Sequence, residues 1–227
     1  MFTAVIIEPR KHAALEFVLL NFVGNLPQEW DIILFHGTTN LTYVQGILSR
    51  MHPSYKSRIT LRSLNKANLT IRDYNTILTS TAFYESIPTE IMLIFQTDAI
   101  LFSEYMYLLD KYLKYDYVGA PWPYWKVKNY SRPVGNGGLS LRRKCKMLEI
   151  IRTIPYNGQP EDIYFCNQDK VSLFTPSLDE AKIFSVENEF NEYSVGGHQP
   201  WHSYRRYPES KNYKEVFAFK ALQYVVN

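Results

Sequence analysis

Cysteine is scarce. There are two in 227 residues, Cys145 and Cys166. They form no C-x-x-C metal motif, and two are too few for a disulfide framework. A reduced compartment is the simpler reading, with a single Cys145–Cys166 bridge left open. Long hydrophobic runs are also missing: nothing approaches the 18 or so apolar residues of a spanning helix. Met1 to Ile7 is short and has no basic flank, so it does not read as a secretory leader. The expectation is a cytoplasmic protein without a transmembrane segment. Charge of one sign is lacking too. The 25 Lys+Arg and 22 Asp+Glu leave a net +3, and no basic block appears, which argues against a nucleic-acid partner. No G-x-G-x-x-G follows the first apolar run, which disfavours a dinucleotide-dependent dehydrogenase. Repeats, low-complexity segments and linkers are absent, so one domain is expected.

What is present is an ordinary globular balance with an aromatic excess. Hydrophobic residues make up 46% and charged residues 21%, which excludes wholesale disorder. A chain of this size buries roughly 70% of its unfolded surface and needs no staples. Aromatics reach 15%, with 18 Tyr. Tyrosine suits both a half-buried shell around a sheet and a site that stacks on rings and hydrogen-bonds them.

Short apolar runs alternate with helical patterns in the first half. Strands are expected at Thr3–Ile7, Asp31–Phe35, Arg58–Leu64 and Ile91–Phe95. Helical spacing is expected over 11–24, 40–50 and 70–86. This alternation predicts a parallel α/β sheet covered on both faces. Ligands of such sheets bind beyond the carboxyl ends of the strands, which draws attention to Glu8-Pro9-Arg10, His36-Gly37, Asn65-Lys66 and Gln96-Thr97-Asp98. The second half is less regular. It predicts a short strand at Leu139–Leu141, helices over 143–153 and from Gln159, and loop over 190–213.

Four features carry chemistry. Asp98 follows the most apolar run, where a carboxylate is costly unless paired, hydrogen-bonded or metal-bound; a turn cap is the plainer role. Gly135-Asn136-Gly137-Gly138 permits positive φ and close backbone approach, and also fits a tight hairpin. Glu161-Asp162 sits in the first turn of an expected helix, where acids suit the dipole; one of them could also serve as a general base. In Gly196-Gly197-His198-Gln199-Pro200-Trp201-His202, a histidine beside glycines has room to reach a metal ion. The run Arg142-Arg143-Lys144 reads as a solvated helix start rather than a phosphate site.

The order of these features resembles the GT-A glycosyltransferases. That superfamily shares a DxD motif after a sheet strand, a glycine-rich loop, an xED motif and a C-terminal His. The matching positions are Gln96-Thr97-Asp98, Gly135–Gly138, Pro160-Glu161-Asp162 and His198. More narrowly, IFQTDAILF, YVGAPW, VGNGGLSLRRK, PEDIYF and FSVENEF…GGHQPWH look like a family of GT-A-like transferases of unassigned specificity, and the likeness runs to about residue 205. It implies a GT-A-like, Rossmann-like and mostly parallel sheet flanked by helices. It also implies a nucleotide-binding half over 1–100 and an acceptor and catalytic half over 101–205. The tail over 206–227 resembles nothing useful.

The resemblance further implies a metal-dependent, inverting transfer of a sugar from a nucleotide donor, UDP-linked first, to a hydroxyl of a glycan, protein or lipid. Asp98 and His198 would hold Mn²⁺ or Mg²⁺. Asp162 would be the base, with Glu161 beside it at the acceptor. Gln96, Thr97 and Gly135–Gly138 would meet the donor. Beside the resemblance, Glu8 and Arg10 are candidates for the nucleotide end from their place after the first strand, and Trp122, Trp125 and Trp201 are candidates to stack on sugar rings, with packing the alternative for each. Gln96 departs from the motif: it can hydrogen-bond a ribose but adds no charge. Two alternatives stay open, a retaining transferase on the same fold and an inactive glycan- or nucleotide-binding module.

Overall fold

The computed structural model describes residues 1–123 and 130–225. The four expected strands all form: β1 (Phe2–Glu8), β2 (Trp30–His36), β3 (Ile59–Ser63) and β4 (Ile91–Phe95). They are mutually parallel, in the order β3-β2-β1-β4. Alternate side chains of a two-sided sheet enter two different layers. Ala4, Ile6 and Ile32 pack against α1 (Leu15–Asn25) and α2 (Leu41–Arg50). Val5, Ile7 and Ile33 pack in the other layer with Leu78, Phe83, Met147 and Phe165. A single turn, α3 (Pro53–Lys56), leads into β3.

The helical stretch expected over 70–86 is two helices, α4 (Ile71–Leu78) and α5 (Thr81–Ser86). The break has a local cause. Ser80 accepts the Phe83 N–H and caps a new helix, a use of serine that competes with the helical ladder. Thr70 and Asp73 close a capping box on α4.

A short strand, β5 (Ala99–Leu101), and a 3₁₀ helix over Ser103–Tyr112 follow β4. The main sheet then grows in the opposite sense. β7 (Leu139–Arg143) joins β4 antiparallel, and β6 (Tyr117–Val118) pairs antiparallel with β7 at the edge. Beyond β7 lie α6 (Lys144–Thr153), α7 (Glu161–Cys166) and α8 (Leu178–Phe184). The expected loop over 190–213 is partly ordered. It holds β9 (Gly196–His198), which sits between β5 and β8 (Ser185–Val186) in a small second sheet, and α9 (Trp201–Tyr204). Ala99, Val186 and Val195 share a core with Ala4 and Ile6, so both sheets belong to one domain. The fold is therefore a mixed α/β domain with a mostly parallel central sheet flanked by helices.

The tail contributes more than its composition suggests. In α10 (Tyr213–Leu222), Val216 and Phe219 are buried. Phe219 stacks on Phe17 at 5.1 Å, and Gln223 Nε2 donates to the Thr97 carbonyl at 2.9 Å. Both cysteines are free, Cys145 exposed and Cys166 buried.

Candidate active site

A cleft of about 390 Å³ opens beyond the carboxyl ends of β1 and β4, where a parallel sheet places its ligands. Ten of the sequence-derived candidates border it: Glu8, Arg10, Gln96, Thr97, Asn136, Gly137, Gly138, Glu161, Asp162 and His198. These residues come from both ends of the chain and meet because β7 runs antiparallel beside β4, bringing in the glycine run, and β9 pairs with β5, bringing in His198.

One wall is built for positive charge. His198, which borders the cleft, ends β9, paired across to Ala99; Asp98, just past β4, does not itself border the cleft but stands against His198. Asp98 Oδ1 stands 3.3 Å from His198 Nε2, and Glu187 Oε1 stands 3.5 Å from His198 Nδ1. Gln199 grips the other Asp98 oxygen at 2.7 Å and donates its backbone N–H to the Asp98 carbonyl. It does so at φ 45°, a left-handed backbone that costs a non-glycine residue roughly 1–2 kcal/mol. Burial by itself would raise the Asp98 carboxyl, but the His198 imidazolium and the Gln199 amide outweigh it and hold the group down at about 2. Burial likewise opposes charge on His198, and Asp98 with Glu187 overcomes it, to about 10.

The same atoms test whether a divalent cation fits. Asp98 Oδ1 and both His198 ring nitrogens are buried without an aligned hydrogen-bond partner. Cis ligands of an octahedral ion at about 2.1 Å lie roughly 3 Å apart, close to the Asp98–His198 separation. Among the described residues no group of three or more His, Cys, Asp or Glu is set to hold a metal. Once His198 gives up its proton to the incoming ion, the protein offers two donors, which fits an ion that takes its other ligands from phosphate and water.

The opposite wall carries the acidic pair at the start of α7. Asp162 is partly buried, and its Oδ1 accepts the Ile163 N–H at 2.8 Å. Burial, then the neighbouring Glu161 charge, push its carboxyl up to about 6. Glu161 is placed differently from the acceptor contact expected of it. Its carboxylate is engaged by Arg142 through two bonds of 2.7 and 2.9 Å. Arg142 corrects a second expectation: it is not on a solvated helix start but on β7, with 0% of its surface exposed.

The glycine run separates the two walls. Close approach, not positive φ, explains it: among the described residues only Gly158 is a glycine with positive φ. A Cβ on Gly137 would lie 2.1 Å from Glu161 Oε1, and one on Gly138 2.2 Å from the His198 ring. Asn136 ties the run down, accepting the Gly138 N–H at 3.0 Å and donating to Glu187. Gly135 does not border the cleft; it lies against Trp122 and Cys166.

The remaining candidates divide. Gln96 donates to the Tyr74 hydroxyl at 2.9 Å. Glu8 is buried and engaged by the Arg10 side chain and backbone. Trp122 and Trp201 are 4% and 7% exposed and sit in the two cores, so packing accounts for both, and neither borders the cleft. Trp125 lies outside the described residues. Sequence reasoning missed Tyr74, Asn75, Glu187 and Gln199, and the wall formed by Asn68–Ile71. Glu187 lies inside the FSVENEF motif, which was its only signal.

Solved structures share this architecture. The galactosyltransferase LgtC, in complex with donor and acceptor sugar analogs, aligns at a TM-score of 0.58 and 12% identity, covering 99% of this chain and 97% of that one. An active-site mutant of LgtC gives 0.59 and 14% over the same shares. The mannosyltransferase PcManGT from Pyrobaculum calidifontis, in complex with GDP-Man and Mn²⁺, gives 0.51 and 15% over 72% of this chain and 50% of its own. These are GT-A glycosyltransferases, and at such identities the likeness establishes the fold alone. No curated protein matches the sequence. Residues 58–200 match the family described as "Protein of unknown function (DUF5672)"; that span includes the Asp98, glycine-run, Asp162 and His198 positions, and the chain belongs to the DUF5672 family.

Proposed function

We propose that this chain is a glycosyltransferase that moves a sugar from a nucleotide donor, UDP-linked first, to a hydroxyl acceptor with inversion. One observation carries the reading. A single cleft has the buried His198, held against a partly buried Asp98, on one side of a glycine run and a carboxylate raised to about 6 on the other. The neighbours crystallised with sugar analogs or with GDP-Man and Mn²⁺ support it at the level of fold.

Asp98 and His198 would hold Mn²⁺ or Mg²⁺. When bound, such an ion neutralises charge on the departing diphosphate. The backbone of Asn136–Gly138 presents a surface without side-chain bulk, against which a donor sugar can lie. Asp162 takes the proton of the acceptor hydroxyl; with its carboxyl at about 6 it is mostly ionised at pH 7 and still basic enough to bind a proton. Gln96 is free to meet a ribose through its carbonyl, since its amide is committed to Tyr74. The acceptor would be a glycan, protein or lipid. Among the described residues no helix is long and apolar enough to cross a membrane; a cytoplasmic site of action is part of the proposal.

The test is a thermal-shift and calorimetry panel of UDP, GDP and CMP, and of UDP-sugars, each with and without Mn²⁺. Stabilisation by UDP that needs Mn²⁺ is the expected result. No response to any nucleotide would point to a module without transferase activity. Product stereochemistry then separates the mechanisms: an α-product from an α-linked donor would remove Asp162 as the base.

A further inference from the structure

Arg142 is a fully buried cation in a chain with ample surface. Four of its five N–H donors are engaged. Two bonds go to Glu161, Nε donates to Ser140 Oγ at 3.0 Å, and one terminal nitrogen also reaches the Tyr84 hydroxyl at 3.1 Å. The rings of Tyr117 and Phe165 lie 5.1 and 5.6 Å from its centre. Stability does not account for such a pair. Two well-packed apolar side chains of similar volume usually serve a core as well or better.

The geometry offers another reason. Glu161 Oε1 occupies the space that a Gly137 side chain would need, so the carboxylate is wedged between the guanidinium and the glycine run. Asn75 on α4 accepts the Glu161 N–H at 3.3 Å, fixing the first residue of α7 from a third element. Asp162 is the next residue, and its Cβ lies 3.2 Å from where a Gly137 side chain would begin, so the Gly137 backbone packs directly against it. Gly137 and Arg142 are joined by only four residues, most of them in β7. One strand therefore carries both the loop beside Asp162 and the cation that anchors the helix bearing it.

We propose that the Arg142–Glu161 pair is a positioning clamp that fixes Asp162 against the Gly137 backbone, with Glu161 serving the clamp rather than the acceptor. This rests on the reading of Asp162 as base for its consequence in turnover, but not for its geometry. The charged and titratable groups around Asp162 are Glu161 on α7, Arg142 on β7, Cys166 at the end of α7 and Tyr117 on β6.

The experiment compares wild type with Arg142→Met and with the double variant Arg142→Met/Glu161→Leu. It reads Tm, the pH titration of the Gly137 amide proton by NMR, and kcat and KM with UDP-sugars and Mn²⁺. Arg142→Met strands a buried carboxylate and loses stability or fails to fold. The double variant removes both charges at similar volume and regains the wild-type Tm. In wild type the Gly137 amide shift follows the Asp162 titration; in the double variant that coupling disappears, and kcat drops roughly 100-fold with little change in donor KM, as expected when a reacting group moves by about 1 Å. A double variant that recovers both the coupling and kcat along with Tm would overturn the clamp and leave the pair purely structural. The base reading fails separately: if Asp162→Asn turns over like wild type, Asp162 is not the base, while the Gly137 titration still decides the clamp.

Discussion

Two carboxylates serve one cleft, Asp162 on its wall and Asp98 against the His198 that borders it, and live under opposite conditions. Asp98 is held down at about 2 because an imidazolium and an amide outweigh the burial that would raise it. Asp162 is raised to about 6 because burial and the Glu161 charge dominate over the two backbone N–H groups and Arg142. Environments that push two acids apart also assign them different work. One stays charged at any working pH and suits a cation. The other gains and loses a proton near neutrality and suits acid–base chemistry. The glycine run lets backbone, rather than side chain, fill the space between them.

The sharpest way to break this division is to remove the proton site alone. Asp162→Asn keeps the shape and loses the base. With the donor site intact, kcat is expected to fall 10²- to 10⁴-fold, the usual weight of a positioned general base, while Mn²⁺-dependent nucleotide binding by calorimetry is unchanged. Loss of both together would mean that the two carboxylates serve one function. The pH profile makes the same point in wild type. Asp162 must be ionised to act, so kcat/KM should fall about tenfold per pH unit below about 6. Asp98 stays ionised over that range, so a limb near 6 that survives in Asp162→Asn would refute the assignment.

The opposite cut is Asp98→Ala. Nucleotide with Mn²⁺ at one hundred times its Kd stabilises wild type by about 2.7 kcal/mol, roughly 5–10 °C in Tm for a chain of this length. The variant should lose the Mn²⁺-dependent part of that shift, while its Asp162 carboxyl still titrates near 6. A retained shift would place the cation elsewhere. The loop between the two is tested by Gly137→Ala. The new methyl would meet Glu161 Oε1, which cannot retreat because Arg142 holds it. Overpacking of this kind costs about 1–3 kcal/mol; thermal melts should show it, and an unchanged Tm would mean the run is more yielding than drawn.

Much of this was legible in the sequence, for physical reasons that also set the limit. Strands β1, β2 and β4 were read because a parallel strand buried on both faces is a mostly apolar run, whereas the edge strand β3, with only Ile59 buried, carries polar residues along its length. Asp98, Asp162 and His198 were found because each sits in a short motif at the end of an element. Arg142 was misread because Arg142-Arg143-Lys144 looks like a surface charge run. Only the pairing of β7 between β4 and β6 shows that alternate residues point apart, Arg142 inward to Glu161 and Arg143 outward to Asp116. Glu187, Tyr74 and Gln199 are defined by partners 11, 22 and 101 residues away in His198, Gln96 and Asp98, and no local pattern records such contacts. The glycine run was found for half the right reason. Its close approach is real, but the atoms it avoids belong to Glu161 and His198, which only the fold brings there. Trp122 and Trp201 show the reverse error, since an aromatic in a Pro/Gly loop looks like a sugar platform until its burial is known.

The smallest effect separates the two carboxylates by sign. Asp162 binds its proton more tightly in the folded state than in the unfolded chain, about 6 against 3.8. Below about pH 4 both states are protonated and nothing is lost. As pH rises toward 6 the unfolded state ionises first, and above 6 the folded state carries the full penalty of a charge it disfavours. Asp162→Asn escapes that penalty, so at pH 7 the inactive variant should be more stable than wild type by about 1–3 kcal/mol, with the gain gone at pH 4. Asp98 runs the other way. Its folded value lies below the unfolded one, so its contribution is complete above about pH 4 and is lost as pH falls toward 2. Asp98→Asn should therefore cost stability at pH 7. Melts of both variants at pH 4 and 7 decide it: equal signs at pH 7 would show that the two sites differ in position but not in kind.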